Sequence, residues 1–131
     1  MYLWNPRPRM FVIARPKHNG AGEHWGVLLP SNWVAHNTPE GGEHISPLTE
    51  FAPNGYRIIR EVPPERVHDS LRRIRIAVQS PTARSAYHAT KNNCQTFANR
   101  VTGEMPRSPA VEGVGLLALA GIFVYALARA E

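Results

Sequence analysis

The stretch His24-Trp25-Gly26-Val27-Leu28-Leu29-Pro30-Ser31-Asn32-Trp33-Val34-Ala35-His36 decides the fold. Two short apolar runs flank Pro30-Ser31-Asn32, a connection too short for a crossover, so the runs are expected to pair as an antiparallel hairpin. One histidine starts the first run and the other ends the second. In a tight hairpin those two positions lie close to opposite each other, which sets two imidazoles side by side.

Working outward, Met10-Phe11-Val12-Ile13-Ala14 reads as a buried strand, and Pro16–Gly22, with Asn19-Gly20, as a loop. Asn37–Gly42 is loop-like, and His44 to Pro53 shows no decisive period. Gly55–Val62 is a further strand, stopped by Pro63-Pro64, with Pro64 suited to the first turn of the next helix. Val67, Leu71, Ile74 and Val78 recur at helical spacing and form one apolar stripe. The expectation is therefore α+β, a small antiparallel sheet packed against helices.

A second stretch carries chemistry. Lys91-Asn92-Asn93-Cys94-Gln95-Thr96-Phe97-Ala98-Asn99-Arg100-Val101 holds the single cysteine of the chain. Asn92 and Asn93 are cap-forming residues, Cys94, Phe97, Ala98 and Val101 follow at helical spacing, and Gly103 suits the stop. The thiol is thus placed in the first turn of a helix, where the macrodipole favours thiolate. The competing reading is a small buried hydrophobe, since free cysteine is among the most buried residue types.

Composition narrows the rest. With 131 residues, 43% hydrophobic and 19% charged, the chain is one globular unit rather than a disordered one. One cysteine excludes an intramolecular disulfide and a cysteine-rich zinc site. The first residues carry charge but no apolar core of 7–15 residues, so no secretory signal is read there. The net charge of +5 comes from scattered arginines without an aromatic-interleaved patch, and no nucleic-acid partner is expected. Attraction to anionic lipid would explain the same charge. Residues 1–105 form the main domain in this reading, and 106–131 a Pro-containing linker with a hydrophobic C-terminal helix. Residues 113–128 carry no charge and would span about 24 Å as a helix, short of the roughly 30 Å hydrocarbon core. The segment is expected to lie in or on a membrane, or else to pack on the domain or a second copy. The location expected is cytoplasmic or membrane-associated.

Of six histidines, His18, His68 and His88 read as surface residues, while His24 and His36 form the candidate pair. That pair also suits two zinc ligands, with His44 and Glu43 the nearby further donors, but no full set is evident and no metal or other cofactor is expected.

The order His24-Trp25-Gly26-Val27, then His36, then Asn93-Cys94-x-x-Phe97 resembles the lecithin retinol acyltransferase-like family, which includes the HRAS-like suppressor phospholipase/acyltransferases. Its members carry a His-Trp-(small)-aliphatic box, a histidine ending the next strand and an Asn-Cys-Glu-His-Phe box opening a helix. Gln95-Thr96 stand here for that Glu-His. The resemblance implies a permuted papain-like fold, related to NlpC-type peptidases. It implies Cys94 as nucleophile, His24 as base and His36 as the polarising third member. Trp25, Asn93, Gln95 and Tyr87 would support the pocket or the oxyanion. The activity implied is acyl hydrolysis or transfer through a thioester, on a membrane lipid or other acyl substrate. A peptidase or amidase acting on peptidoglycan or protein is the second reading, and a membrane-attached domain without activity the third.

Overall fold

The computed structural model of the chain describes residues 7–18 and 20–105. Five strands form one antiparallel sheet: β1 Phe11–Pro16, β2 Glu23–Leu28, β3 Trp33–Thr38, β4 Gly42–Pro47 and β5 Arg57–Glu61, in the spatial order β4-β3-β2-β1-β5. Among the described residues three α-helices accompany it: the single turn α1 Leu48–Phe51, then α2 Val67–Gln79 and α3 Cys94–Val101. The expected α+β class is what is observed.

The loop expected at residues 37–42 is shorter than the sequence suggested. β3 runs on to Thr38 and returns directly as β4, with His36 paired to His44 and Thr38 to Gly42. Gly42 makes the reversal possible at φ +64, and a Cβ there would stand 2.0 Å from the Ala83 carbonyl oxygen. Period-2 patterning fails in β4 because the strand is at the sheet edge and its polar residues are used. Glu43 is buried under α3 while Ile45 is exposed.

Alternation along the strands builds two cores. Val12, Ala14, Trp25, Val27 and Ala35 face α2 and α3, meeting Val67, Ile74, Phe97, Ala98 and Val101. The opposite face carries Ile13, Leu28 and Val34 beneath Phe51 and Ala52. Phe97 is fully buried, and burial of such a ring contributes roughly 1.5–3 kcal/mol. Pro64 opens a 3-10 turn that leads into α2, as its place after Pro63 predicted.

Polar clamps fix α3 on the sheet at both ends. Asn37, fully buried on β3, donates from Nδ2 to the Asn92 carbonyl at 2.7 Å just ahead of the helix. Glu43 accepts from Arg100, and Arg60 of β5 donates to Asn99 Oδ1 at 3.0 Å and to Thr102 Oγ1 at 2.7 Å. The segment 106–131, with the expected apolar helix at 113–128, lies outside the described residues. Among the described residues no helix is long and apolar enough to cross a membrane.

Candidate active site

Asn93 caps α3 as its residue type predicted. Its Oδ1 accepts from the backbone N–H of Gln95 and of Thr96, both at 3.0 Å, so Cys94 begins the first turn. The thiol does not sit in an open cleft: Cys94 is 5% exposed and belongs to the core beneath α2 and α3. Burial pushes its pKa up, against the opposing pull of the Trp25 N–H, the Lys17 charge and the N–H groups of Gln95 and Cys94 itself. The expected thiolate preference is thereby reversed, because loss of hydration outweighs the dipole of a two-turn helix.

His24 and His36 do come together, although not as facing residues. Register pairs Val27 with Ala35 and Leu28 with Val34, and there the β2–β3 ladder ends, whereas β1–β2 and β3–β4 pair along their whole length. Toward the start of β2 the two strands part. Across that gap His24 Nε2 lies 3.0 Å from His36 Nδ1, a diagonal contact within one face of the sheet. His36 Nε2 in turn lies 2.9 Å from Ser46 Oγ on β4. The Phe51 ring packs against both imidazoles, at centroid distances of 5.4 Å and 5.2 Å. Ser46 and Phe51 carried no signal of their own in the sequence; only the folded register brings them to the pair.

Both imidazoles are held neutral. Burial first, then His36 and the nearby cations, keep His24 well below the usual imidazole range. Burial, followed by His44 and Arg15, brings His36 down to about 3. His24 Nδ1 is buried and has no hydrogen-bond partner among the described residues. An orphaned buried ring nitrogen is rare enough to need a reason.

Cys94 reaches β2 from the opposite face, at the parting of β2 and β3. The backbone N–H directed at its sulfur belongs to Trp25, the residue after His24. No hydrogen bond joins the thiol to His24 Nδ1. The structure therefore unites His24 with His36, and Cys94 with Trp25 and Gln95, and sets the two groups on adjacent residues of one strand. Tyr87 completes the surroundings of the thiol. Its hydroxyl is buried without a partner among the described residues, and its pKa is pushed up to about 12 by burial and by the charges of Cys94 and Glu40, so it stays a donor. Trp25 itself points into the core rather than toward a pocket.

The alternative use of the histidines as ligands finds no donor set: among the described residues no group of three or more His, Cys, Asp or Glu is placed to hold a metal ion. Glu43 turns to the α3 face, onto Asn92 and Arg100, and His44 Nδ1 lies 2.8 Å from the Gly42 carbonyl. Comparison with protein-family models, with curated proteins and with solved structures finds no match to this chain.

Proposed function

We propose that this protein is a cysteine-dependent acyl hydrolase or acyltransferase that works through a thioester on Cys94, with a membrane lipid ester as its substrate class. The observation that carries the reading is the buried His24, tied to His36 through Nε2 and left, among the described residues, with an unpartnered Nδ1 one residue from the strand backbone that touches the thiol.

In this mechanism Cys94 and His24 start neutral. As Cys94 sulfur attacks the ester carbonyl, its proton passes to His24 Nδ1, and the charge gained by the ring is shared with His36 through the Nε2 hydrogen bond. The Trp25 N–H and the Tyr87 hydroxyl are the donors available to the oxyanion. His24 then returns its proton to the leaving alcohol, and water or an amine resolves the thioester. The reading requires Cys94 sulfur and His24 Nδ1 to close into hydrogen-bond contact when substrate binds, since catalytic contacts often tighten only in the complex. The permuted papain-like description of the fold belongs with this proposal and is supported by the order of elements, a histidine strand pair ahead of a cysteine helix. Membrane association through residues 113–128 rests on their apolar sequence.

One observation favours a domain without activity: a thiol 5% exposed, with its pKa raised and no bond to a base. An activated acyl ester separates the two. Stoichiometric acylation of Cys94, seen by intact mass and lost in Cys94→Ser, is expected of the enzyme, with His24→Ala slowing it by about 10²–10⁴-fold. Absence of any acylation while His24→Ala changes nothing would leave the inert domain as the answer.

A further inference from the structure

Beside the histidine pair, Arg15, Lys17, His18 and the turn at residues 52–55 line a cavity of about 280 Å³. Two permanent cations and an imidazole converge on it, and among the described residues that line it there is no carboxylate. Arg15 is the fixed member. It is 9% exposed, its guanidinium lies over the Phe51 ring at 5.4 Å, and its Nη1 donates to the Pro16 carbonyl at 3.0 Å. A guanidinium seated over an aromatic ring and anchored to a backbone carbonyl still has further donors of its fork to offer, the geometry that suits phosphate and carboxylate oxygens.

The place of the cavity gives it meaning. Arg15 stands directly opposite His24 in the β1–β2 ladder, and facing residues share one side of the sheet with Cβ atoms about 4.5–5.5 Å apart. Phe51 touches Arg15, His24 and His36 alike. Lys17 is shaped into the rim by the turn that follows β1: its N–H bonds the Gly22 carbonyl at 3.0 Å and its carbonyl accepts from Gly20 at 2.9 Å. Its charge is felt at both His24 and Cys94.

We propose that this cavity is an oxyanion subsite that takes the phosphate group of the acyl substrate. In a glycerol phosphodiester the phosphorus lies only a few bonds from the ester carbonyls, the scale that separates Arg15 from His24. A phosphate seated on Arg15 and Lys17 would thereby set an ester beside the histidine pair, and positioning of this kind supplies much of a catalyst's advantage. The identity of the ligand as substrate rests on the acyl-transfer reading; the subsite itself does not.

Binding, not turnover, tests it. The full chain is titrated with inorganic phosphate and with glycerophosphoglycerol, a water-soluble deacylated glycerol phosphodiester, and followed by calorimetry and by amide and imidazole NMR resonances. Both ligands are expected to bind, to shift the signals of Lys17, Gly55 and His24, and to weaken about tenfold or more in Lys17→Glu at unchanged melting temperature, with a smaller loss in Lys17→Ala. Equal affinity in wild type and Lys17→Glu, or shifts confined to another surface, overturns the subsite. Inorganic phosphate binding without glycerophosphoglycerol overturns its assignment to the substrate. Failure of Cys94 acylation sinks the catalytic reading and leaves these binding outcomes intact.

Discussion

His24 Nε2 and His36 Nδ1 stand 3.0 Å apart where the β2–β3 ladder has ended and the two strands are no longer paired. A side-chain bond there takes over from the ladder, and it ties the ring that begins β2 to the ring near the end of β3. Because His36 also meets Ser46 at 2.9 Å, the three groups have a single consistent direction of donation if His24 is to accept a proton at Nδ1. His24 then donates from Nε2 to His36, and His36 donates from Nε2 to the serine oxygen.

That direction is measurable. Nitrogen-15 NMR at pH 7.5 is expected to show the proton on Nε2 in both rings. Ser46→Ala, which leaves a His36 donor without its acceptor, is expected to lower stability by about 1–3 kcal/mol and to slow acylation of Cys94. A His24 proton found on Nδ1 would bar that ring from acting as the base.

Acid should unfold the protein by way of the same pair. Folded His24 and His36 have depressed pKa values, while in the unfolded chain both titrate near 6.5. Below that pH the unfolded state binds more protons, so stability is complete above about pH 6.5 and falls as pH drops, by up to about 1.4 kcal/mol per pH unit for each ring. The contribution of His36 levels off near its folded value of about 3. Melting curves from pH 7.5 to 4.5 check this, and His36→Gln should flatten the slope. An equally steep slope in that variant would assign the acid sensitivity elsewhere.

Gly26 is the position at which the pair is most easily disturbed from a distance. A Cβ there would meet Val34 Cγ1 at 2.5 Å and the Phe51 ring at 3.0 Å. Gly26→Ala is expected to cost about 1–3 kcal/mol, as overpacking does, and to displace the ring that holds both imidazoles. Chemical denaturation measures the first effect, and the His24 and His36 ring resonances the second.

Asn93 is the corresponding lever on the thiol. Removing its side chain in Asn93→Ala takes away the acceptor of two backbone N–H groups and should destabilise by about 1 kcal/mol. Faster alkylation of Cys94 is expected as the first turn of α3 loosens, whereas Asn93→Asp should preserve the cap. An unchanged alkylation rate in Asn93→Ala would show that the core, not the cap, shields the sulfur.

Much of the molecule is legible in the chain because the forces involved are local. Pro30-Ser31-Asn32 is too short to do anything but reverse the strand direction. The spacing of Val67, Leu71, Ile74 and Val78 commits one face to burial, and the Asn93 carboxamide is close enough in sequence to cap the helix it precedes. His24 and His36 were paired by the hairpin alone. Their diagonal contact, rather than a facing one, came from the early end of the β2–β3 ladder, which no turn residue announces.

What the sequence by itself determined is therefore the antiparallel hairpin, the amphipathic helices, the capped cysteine and the proximity of two histidines, each the product of neighbours along the chain. Only the tertiary structure decided the rest. It buried Cys94 deeply enough to reverse the charge preference of a helix N-terminus, gathered Ser46 and Phe51 around the imidazoles, and set Arg15 opposite His24. Those outcomes depend on desolvation and on register between strands. Both are properties of residues far apart in sequence, and neither exists until the sheet has closed.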